Sequence, residues 1–177
     1  APPPDGLDVQ PGVGSSYMCS LQAGDQVKFR GPGGDFLLHE SDREKILIGG
    51  GAGMAPLKSM AVHLLSNLQW AGKLRFWYGA RNQQEILYRD SFEKFAADHQ
   101  NFEWQVALSD ANDDNSWTGK RGFIHESIFE NLLKHHESLG DCEFYICGPP
   151  MMLAATREML SKLGVAESLI RFDDFGN

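Results

Sequence analysis

Apolar residues fall along this chain in short β-branched and aromatic runs that alternate with stretches of helical spacing. Residues 46–48 (Ile-Leu-Ile), 74–79 (Leu-Arg-Phe-Trp-Tyr-Gly), 102–108, 142–147 (Cys-Glu-Phe-Tyr-Ile-Cys) and 169–172 read as five strands. Leu57, Met60, Ala61, Leu64, Leu65 and Leu68 share one face of a helix predicted over residues 56–68. Phe92, Phe95 and Ala96 face inward on a second helix over residues 90–99. Two more are predicted over residues 124–135 and 151–163, the last ended by Gly164. Strand and helix alternate, so the expected fold is α/β, a five-stranded parallel sheet with helices on both faces.

The first forty or so residues do not share this rhythm. Residues 1–14 are rich in proline and glycine and read as extended loop. Ser15-Ser16 then reads as an N-cap for one or two helical turns through Tyr17, Met18 and Leu21. Val27 with Phe29, and Phe36 with Leu38, predict two short strands separated by Gly31-Pro32-Gly33-Gly34. That is far too little to close a barrel, and it reads as the tail of a β domain. The charged link Glu40-Ser41-Asp42-Arg43-Glu44-Lys45 follows, which sets the expected domains at residues 1–41 and 42–177.

Composition narrows the partners. A length of 177 residues with 42% apolar content suits one domain, or a domain plus a piece of another. A net charge of -8 argues against nucleic acid and against an anionic membrane surface. No apolar run approaches the roughly 20 residues of a membrane span, and no signal-peptide pattern is present. The chain opens at Ala1-Pro2-Pro3-Pro4 without a methionine, so a fragment or a processed product is expected. Cys19, Cys142 and Cys147 form no C-x-x-C pair, and an odd count fits a reducing compartment. Cys142 with His135 and His136 is the only grouping that resembles a metal site, and no metal is expected there.

Chemistry concentrates after residue 48, where the apolar run stops at Gly49-Gly50-Gly51-Ala52-Gly53-Met54-Ala55-Pro56. Glycines let the backbone turn tightly and approach a ligand closely. Proline at a first helical position costs nothing, because its missing N–H is unpaired there anyway. Strand, glycine turn and helix N-terminus together form a phosphate-binding device. The spacing is not G-x-G-x-x-G, since Pro56 stands at the last glycine position; a tight turn without a ligand is the alternative reading. In open parallel sheets ligands sit beyond the carboxyl ends of the strands. The candidates are therefore residues 49–53, 79–81, 109–110, 147–150 and 173–175.

Those strand ends carry a resemblance. Ile48 through Pro56, Trp77-Tyr78-Gly79-Ala80-Arg81, Leu108-Ser109-Asp110, Cys147-Gly148-Pro149-Pro150-Met151-Met152 and Asp173-Asp174-Phe175-Gly176 resemble the ferredoxin–NADP⁺ reductase superfamily. Within it the combination is similar to the family of F subunits of Na⁺-translocating NADH:quinone oxidoreductases. Gly14-Ser15-Ser16-Tyr17 and Gly31-Pro32-Gly33-Gly34-Asp35-Phe36 resemble the last part of that family's flavin domain. The resemblance implies an FAD-binding antiparallel barrel followed by a NAD(H)-binding domain. Against that pattern the chain lacks an Arg-x-Tyr-Ser flavin motif, a cysteine set for a 2Fe-2S cluster and an N-terminal membrane helix. It is thus expected to be the NAD domain plus the barrel's last edge, inactive and without FAD by itself.

The resemblance also implies roles. Gly50, Gly51, Ala52, Gly53, Met54 and Pro56 would face the NADH pyrophosphate, with Gly79, Arg81, Ser109 and Asp110 along the same nucleotide. Cys147 would lie beside the nicotinamide, and Gly148, Pro149 and Met151 would turn the chain there. Asp173 would place a carboxylate near the reacting centre, and the Phe175 ring would cover the flavin. Gly14, Ser15, Ser16 and Tyr17 would belong to the flavin side. The implied activity is hydride transfer from NADH to FAD, with electrons passing to 2Fe-2S and quinone. The implied setting is the cytoplasmic face of a bacterial inner membrane, among the flavin domain and other subunits, with no membrane contact from this segment.

Charge argues for NADH over NADPH. NADPH-using relatives commonly carry an arginine after the serine that follows the third strand, whereas Asp110 follows Ser109 here. An acid suits a free ribose hydroxyl and repels a 2′-phosphate; Arg81 is the one residue that speaks for NADPH. Elsewhere the plain readings are a solvated acidic loop over residues 110–116, a packing or capping His125, Trp77 and Trp104 in the core, Met151 and Met152 in helix packing, and Trp70 in core or interface. Two other functions stay open: the reductase component of a multicomponent oxygenase, and a nucleotide-binding regulatory module without catalysis.

Overall fold

The computed structural model describes residues 12–31, 33–111 and 114–174. The chain divides into two units, Ala1–Asp35 and Phe36–Asn177. In the first, helix α1 (Val13–Ser20) runs two turns from an N-cap at Gly12, and none of its residues is buried. Ser15 and Ser16, expected as the cap, lie inside it, and the Ser15 hydroxyl donates back to the Gly12 carbonyl at 3.1 Å. The strands expected around Val27 and Phe29 and around Phe36 and Leu38 do not form. A lone extended segment has no ladder partner for its N–H and C=O groups. In the second unit, Phe36 and Leu38 pack instead onto an apolar cluster, the Phe36 ring 6.3 Å from that of Tyr145.

The second unit runs β1 (Glu44–Gly50), α2 (Met54–Val62), β2 (Leu74–Ala80), α3 (Arg89–Asp98), β3 (Phe102–Leu108), β4 (Lys120–Arg121), α4 (Ile124–Asn131), β5 (Cys142–Cys147), α5 (Pro150–Lys162) and β6 (Ile170–Asp173). The sheet order is β4-β3-β2-β1-β5-β6 and every neighbouring pair is parallel. The five predicted strands are all present. The sixth, β4, pairs only Lys120 with Ala107 and Arg121 with Leu108, and two polar residues carry no hydrophobic period to read.

Alternation along the strands divides the core. Ile46, Ile48, Trp77, Phe144 and Ile146 face Ile124 and Ile128 of α4 and Leu153 and Leu160 of α5. Leu47, Phe76, Tyr78, Tyr145 and Cys147 face Leu57 and Met60 of α2 and Phe92 of α3. Strands β1 and β5 are covered on both faces, which explains their unbroken apolar runs. Trp77 is buried in the first cluster; Trp104 is half-buried and stacks on Phe92 with centroids 4.5 Å apart.

Helix α2 begins at Met54, so Pro56 is its third residue and not its first. The proline still falls among the four first-turn positions whose N–H groups have no partner within the helix. The helix continues as a π-helical turn, His63–Asn67, which rotates Leu68 off the buried face and leaves it 58% exposed. Helix α4 ends at Asn131, and a 3-10 turn at Leu133–His135 completes the predicted span.

Candidate functional site

The chain steps outward from β1 through β2 to β3, then returns to the other side of β1 to lay down β5 and β6. Strand order therefore reverses between β1 and β5, which is where open α/β sheets bind ligands. Register aligns the strand ends there: Gly50 opposite Gly79, Gly79 opposite Ala107, Gly49 opposite Cys147, and Cys147 opposite Asp173. Helices α2, α4 and α5 begin just beyond these ends, and none has a side-chain cap. At α4 and α5 this leaves first-turn N–H groups and the dipole open to an anion, whereas at α2 the Met54 N–H turns back to the Gly51 and Ala52 carbonyls and the dipole is the larger contribution.

A cleft of about 770 Å³ opens over β1, β2 and β3 and reaches the starts of α4 and α5, within the range of about 300–1,000 Å³ usual for small-molecule sites. Of the residues singled out from the sequence, Gly50, Gly51, Gly79, Arg81, Ser109, Pro149 and Met151 line it. The glycines have distinct reasons to be glycine. A Cβ on Gly50 would stand 2.8 Å from the Met152 sulfur and 3.3 Å from the Gly79 carbonyl oxygen, and one on Gly148 would stand 3.0 Å from the Gly50 oxygen. Gly51 holds φ +53 with open space where its Cβ would be, so the turn presents bare backbone to the cleft. The Tyr78 hydroxyl donates to the Gly51 carbonyl at 3.2 Å, and burial, aided by Glu85, pushes its pKa up to about 12.

Other predicted residues stand beside the cleft or away from it. Ala52 is exposed in the turn, whereas Gly53 and Met54 are buried, Met54 against Leu57 in the α2 cluster, and Pro56 is half-buried. Cys147 ends β5 fully buried in the same cluster; burial, then the Asp173 carboxylate, pushes its thiol up to about 11. Asp110 is exposed at the turn after β3, its N–H donating to the Arg81 carbonyl at 2.9 Å. Asp173 is half-buried at the end of β6. Gly14, Ser15, Ser16 and Tyr17 all lie on α1, and Phe175 lies outside the described residues.

The structure adds residues that the sequence reading missed. Phe123, Ile124 and His125 line the cleft, with the Phe123 and His125 rings stacked at 6.0 Å. They follow β4, so the rule that picks residues after strands would have found them had that two-residue strand been visible. His125 accordingly faces the cleft and packs on Phe123 without capping α4. Gln84 and Glu85 line it as well. In the acidic loop the Asp114 carboxylate accepts from the Ser116 N–H at 2.9 Å and from Gln83 Nε2 at 2.8 Å, and the Ser116 and Gln83 contacts hold its pKa below the usual carboxylate range.

At the opposite end of the sheet, Glu44, His136 and Cys142 bring carboxylate, imidazole and thiol atoms within 4.8 Å of one another. His136 Nδ1 accepts the Ser138 N–H at 3.2 Å, which assigns the proton to Nε2, 3.3 Å from Glu44. Glu44 is also paired with Arg75, which bridges on to Glu103. A guanidinium and an Nε2 proton directed at the same carboxylate make this a hydrogen-bonded ion-pair network.

Comparison with known proteins places this geometry. The sequence profile of the oxidoreductase NAD-binding domain matches residues 47–158, from β1 into α5. The chain is 51% identical over 175 residues to the F subunit of the Na⁺-translocating NADH-quinone reductase of Actinobacillus pleuropneumoniae serotype 5b (strain L20), covering 99% of this chain and 43% of that protein. It thus spans less than half the length of the curated relatives it matches. Among solved structures, the flavohem-like FAD/NAD binding domain of nitric oxide dioxygenase from Vibrio cholerae O1 biovar El Tor superposes with a TM-score of 0.80 at 26% identity, over 97% of this chain and 68% of that one. The ferredoxin reductase in carbazole 1,9a-dioxygenase gives 0.63 at 31% identity, over 77% of this chain and 39% of that one. The chain belongs to the oxidoreductase NAD-binding domain family of the ferredoxin reductase superfamily.

Proposed function

We propose that this chain is the NADH-binding part of an F-type subunit of a Na⁺-translocating NADH:quinone oxidoreductase. The observation that carries the reading is 51% identity along nearly its whole length, with the glycine turn at the β1/β5 reversal. The bare backbone at Gly51, with space where a Cβ would be, fits a pyrophosphate. In this reading the glycine turn and the dipole of α2 hold that pyrophosphate, and Arg81, Ser109 and Asp110 flank the adenosine. The turn Gly148-Pro149, next to Gly50, aims the nicotinamide away from the sheet. Asp173 and Phe175 would stand near the reacting centre, where flanking groups align two rings and exclude water. FAD in the complete protein would supply the hydride acceptor and the change from two-electron to one-electron transfer.

In this reading the rest of the FAD site lies in the remainder of the flavin domain. Residues 1–41 are read as the last part of a flavin domain and residues 42–177 as the NADH domain. The 2Fe-2S cluster, quinone, sodium coupling and companion subunits belong to the whole protein, at the cytoplasmic face of a bacterial inner membrane. Among the described residues no helix is long and apolar enough to cross a membrane.

A second reading, the reductase of a multicomponent oxygenase, is favoured by the 31% identity to the carbazole dioxygenase reductase. Sodium-dependent NADH:quinone activity of the complete protein in membranes supports the first reading; sodium-independent reduction of a soluble ferredoxin supports the second. For this chain, NADH fluorescence titration gives the direct test. A folded Gly51→Val chain that binds NADH as tightly as the wild type removes the site assignment.

A further inference from the structure

We propose that Glu85 is a specificity-determining residue: by closing on Arg81 it keeps the cleft selective for nucleotides without a 2′-phosphate, an inference that rests on the NADH-site reading. Arg81 is the only Lys or Arg among the described residues lining the cleft. Its carbonyl accepts the Asp110 N–H at 2.9 Å, which places it beside the turn after β3. With the pyrophosphate on the turn after β1, the adenosine extends across the next strands out, β2 and β3. A guanidinium at that edge is the group that reads a phosphate, through its planar fork of donors.

Here one edge of that fork, Nε and Nη2, is already taken. Glu85 closes the short turn Gln83–Glu85, and its carboxylate takes Arg81 Nε at 2.8 and 3.1 Å, the Arg81 backbone N–H at 3.3 Å, and Arg81 Nη2. A 2′-phosphate reaching Arg81 finds only the Nη1 side of a guanidinium whose charge this carboxylate already offsets, and it meets the charge of Asp110 as well. A 2′-hydroxyl carries no charge to repel and donates to a carboxylate. The two side chains are 75% and 36% exposed, a setting in which an ion pair adds little to stability. What the pair controls is the charge the cleft offers. Asp110 alone accounts for only part of this selectivity, because an unpaired Arg81 would still attract a phosphate.

The test uses the full chain and two probes without nicotinamide, adenosine 2′,5′-bisphosphate and 5′-AMP, titrated by calorimetry. In Glu85→Gln the ratio of affinities moves about tenfold or more toward the bisphosphate. In the double variant Arg81→Gln/Glu85→Gln that gain disappears. Glu85→Ser runs alongside, because a glutamine amide oxygen can still accept from the guanidinium, and it is expected to show the same shift. An unchanged ratio in both single variants, or a gain that survives loss of Arg81, overturns the proposal. Wild-type chain that binds neither probe overturns the nucleotide-site reading and this inference with it.

Discussion

Gly53 and the Cys147 carbonyl leave no room for a β-carbon between them: one built on Gly53 would overlap the Cys147 oxygen and stand 2.7 Å from the Gly148 nitrogen. Both obstacles are backbone, so neither rotates aside as a side chain does. The turn after β1 and the turn after β5 are thereby fitted to each other. Gly53→Ala is expected to cost about 3 kcal/mol through forced backbone shifts. A urea unfolding midpoint equal to that of the wild type would show that the two turns separate freely.

Gly51 is the contrasting case, in the same turn and built for another purpose. Its φ of +53 disfavours any side chain, but a Cβ there meets nothing within 4 Å. Gly51→Ala should therefore fold with a penalty of about 1 kcal/mol. Its methyl group enters the space assigned to the pyrophosphate, and NADH affinity is expected to fall about tenfold or more. Measured together, unfolding and NADH titration should separate the pair: Gly53→Ala mainly loses stability, Gly51→Ala mainly loses ligand.

The glycine turn at the floor of the cleft was legible because glycine and proline act locally. The run from Gly49 to Pro56 marks a turn whatever lies around it, and five strands announce themselves by length and apolar content. The rest depends on contacts far apart in sequence or on elements too short to carry a period. Strand β4 has two residues, so Phe123 and His125 had no strand end to mark them. The π-helical turn that exposes Leu68 leaves no trace in an otherwise regular helical pattern. Val27 with Phe29, and Phe36 with Leu38, have strand-forming side chains but no partner strand among the described residues, and propensity alone does not make a ladder. Whether Arg81 is available to a ligand depends on a side-chain rotamer that closes on Glu85, which no spacing rule specifies.

A buried ion pair gives a pH-dependent prediction. Lys45 and Glu143, both almost fully buried on neighbouring strands, are 3.1 Å apart. Glu143 Oε2 also accepts from the Tyr145 hydroxyl at 3.0 Å, and Lys45 reaches the Ser41 carbonyl at 3.1 Å. Burial alone pushes the Glu143 carboxyl up, but Lys45 and Tyr145 together outweigh it and hold the pKa below its ordinary value. A depressed carboxyl stabilises the fold fully above its unfolded value, about 4.3, and that contribution is lost as pH falls through the folded value. Glu143→Gln is expected to lose about 3–5 kcal/mol at pH 7, because it strands a buried ammonium. It should also flatten the acid limb of the stability curve. A full wild-type acid limb in the variant would assign that limb to other carboxylates.

The cysteines offer a check on the strand end nearest the proposed nicotinamide position. Cys19 is exposed, whereas Cys142 and Cys147 are fully buried, their thiols pushed up to about 12 and about 11. Only the thiolate attacks an alkylating reagent, and at pH 8 a thiol of pKa about 11 is ionised to about one part in a thousand. Peptide mass spectrometry after brief iodoacetamide treatment of the folded chain should therefore find Cys19 modified and the other two intact until denaturant is added. Burial sets most of the Cys147 shift and Asp173 the remainder. Labelling of Cys147 at the rate of Cys19 in the native wild-type chain would mean that the end of β5 opens to solvent, and the nicotinamide would then have to meet the thiol directly. With enough urea present for both buried thiols to react slowly, NADH is expected to slow Cys147 labelling more than Cys142 labelling, the outcome of a ligand seated over the β5 turn.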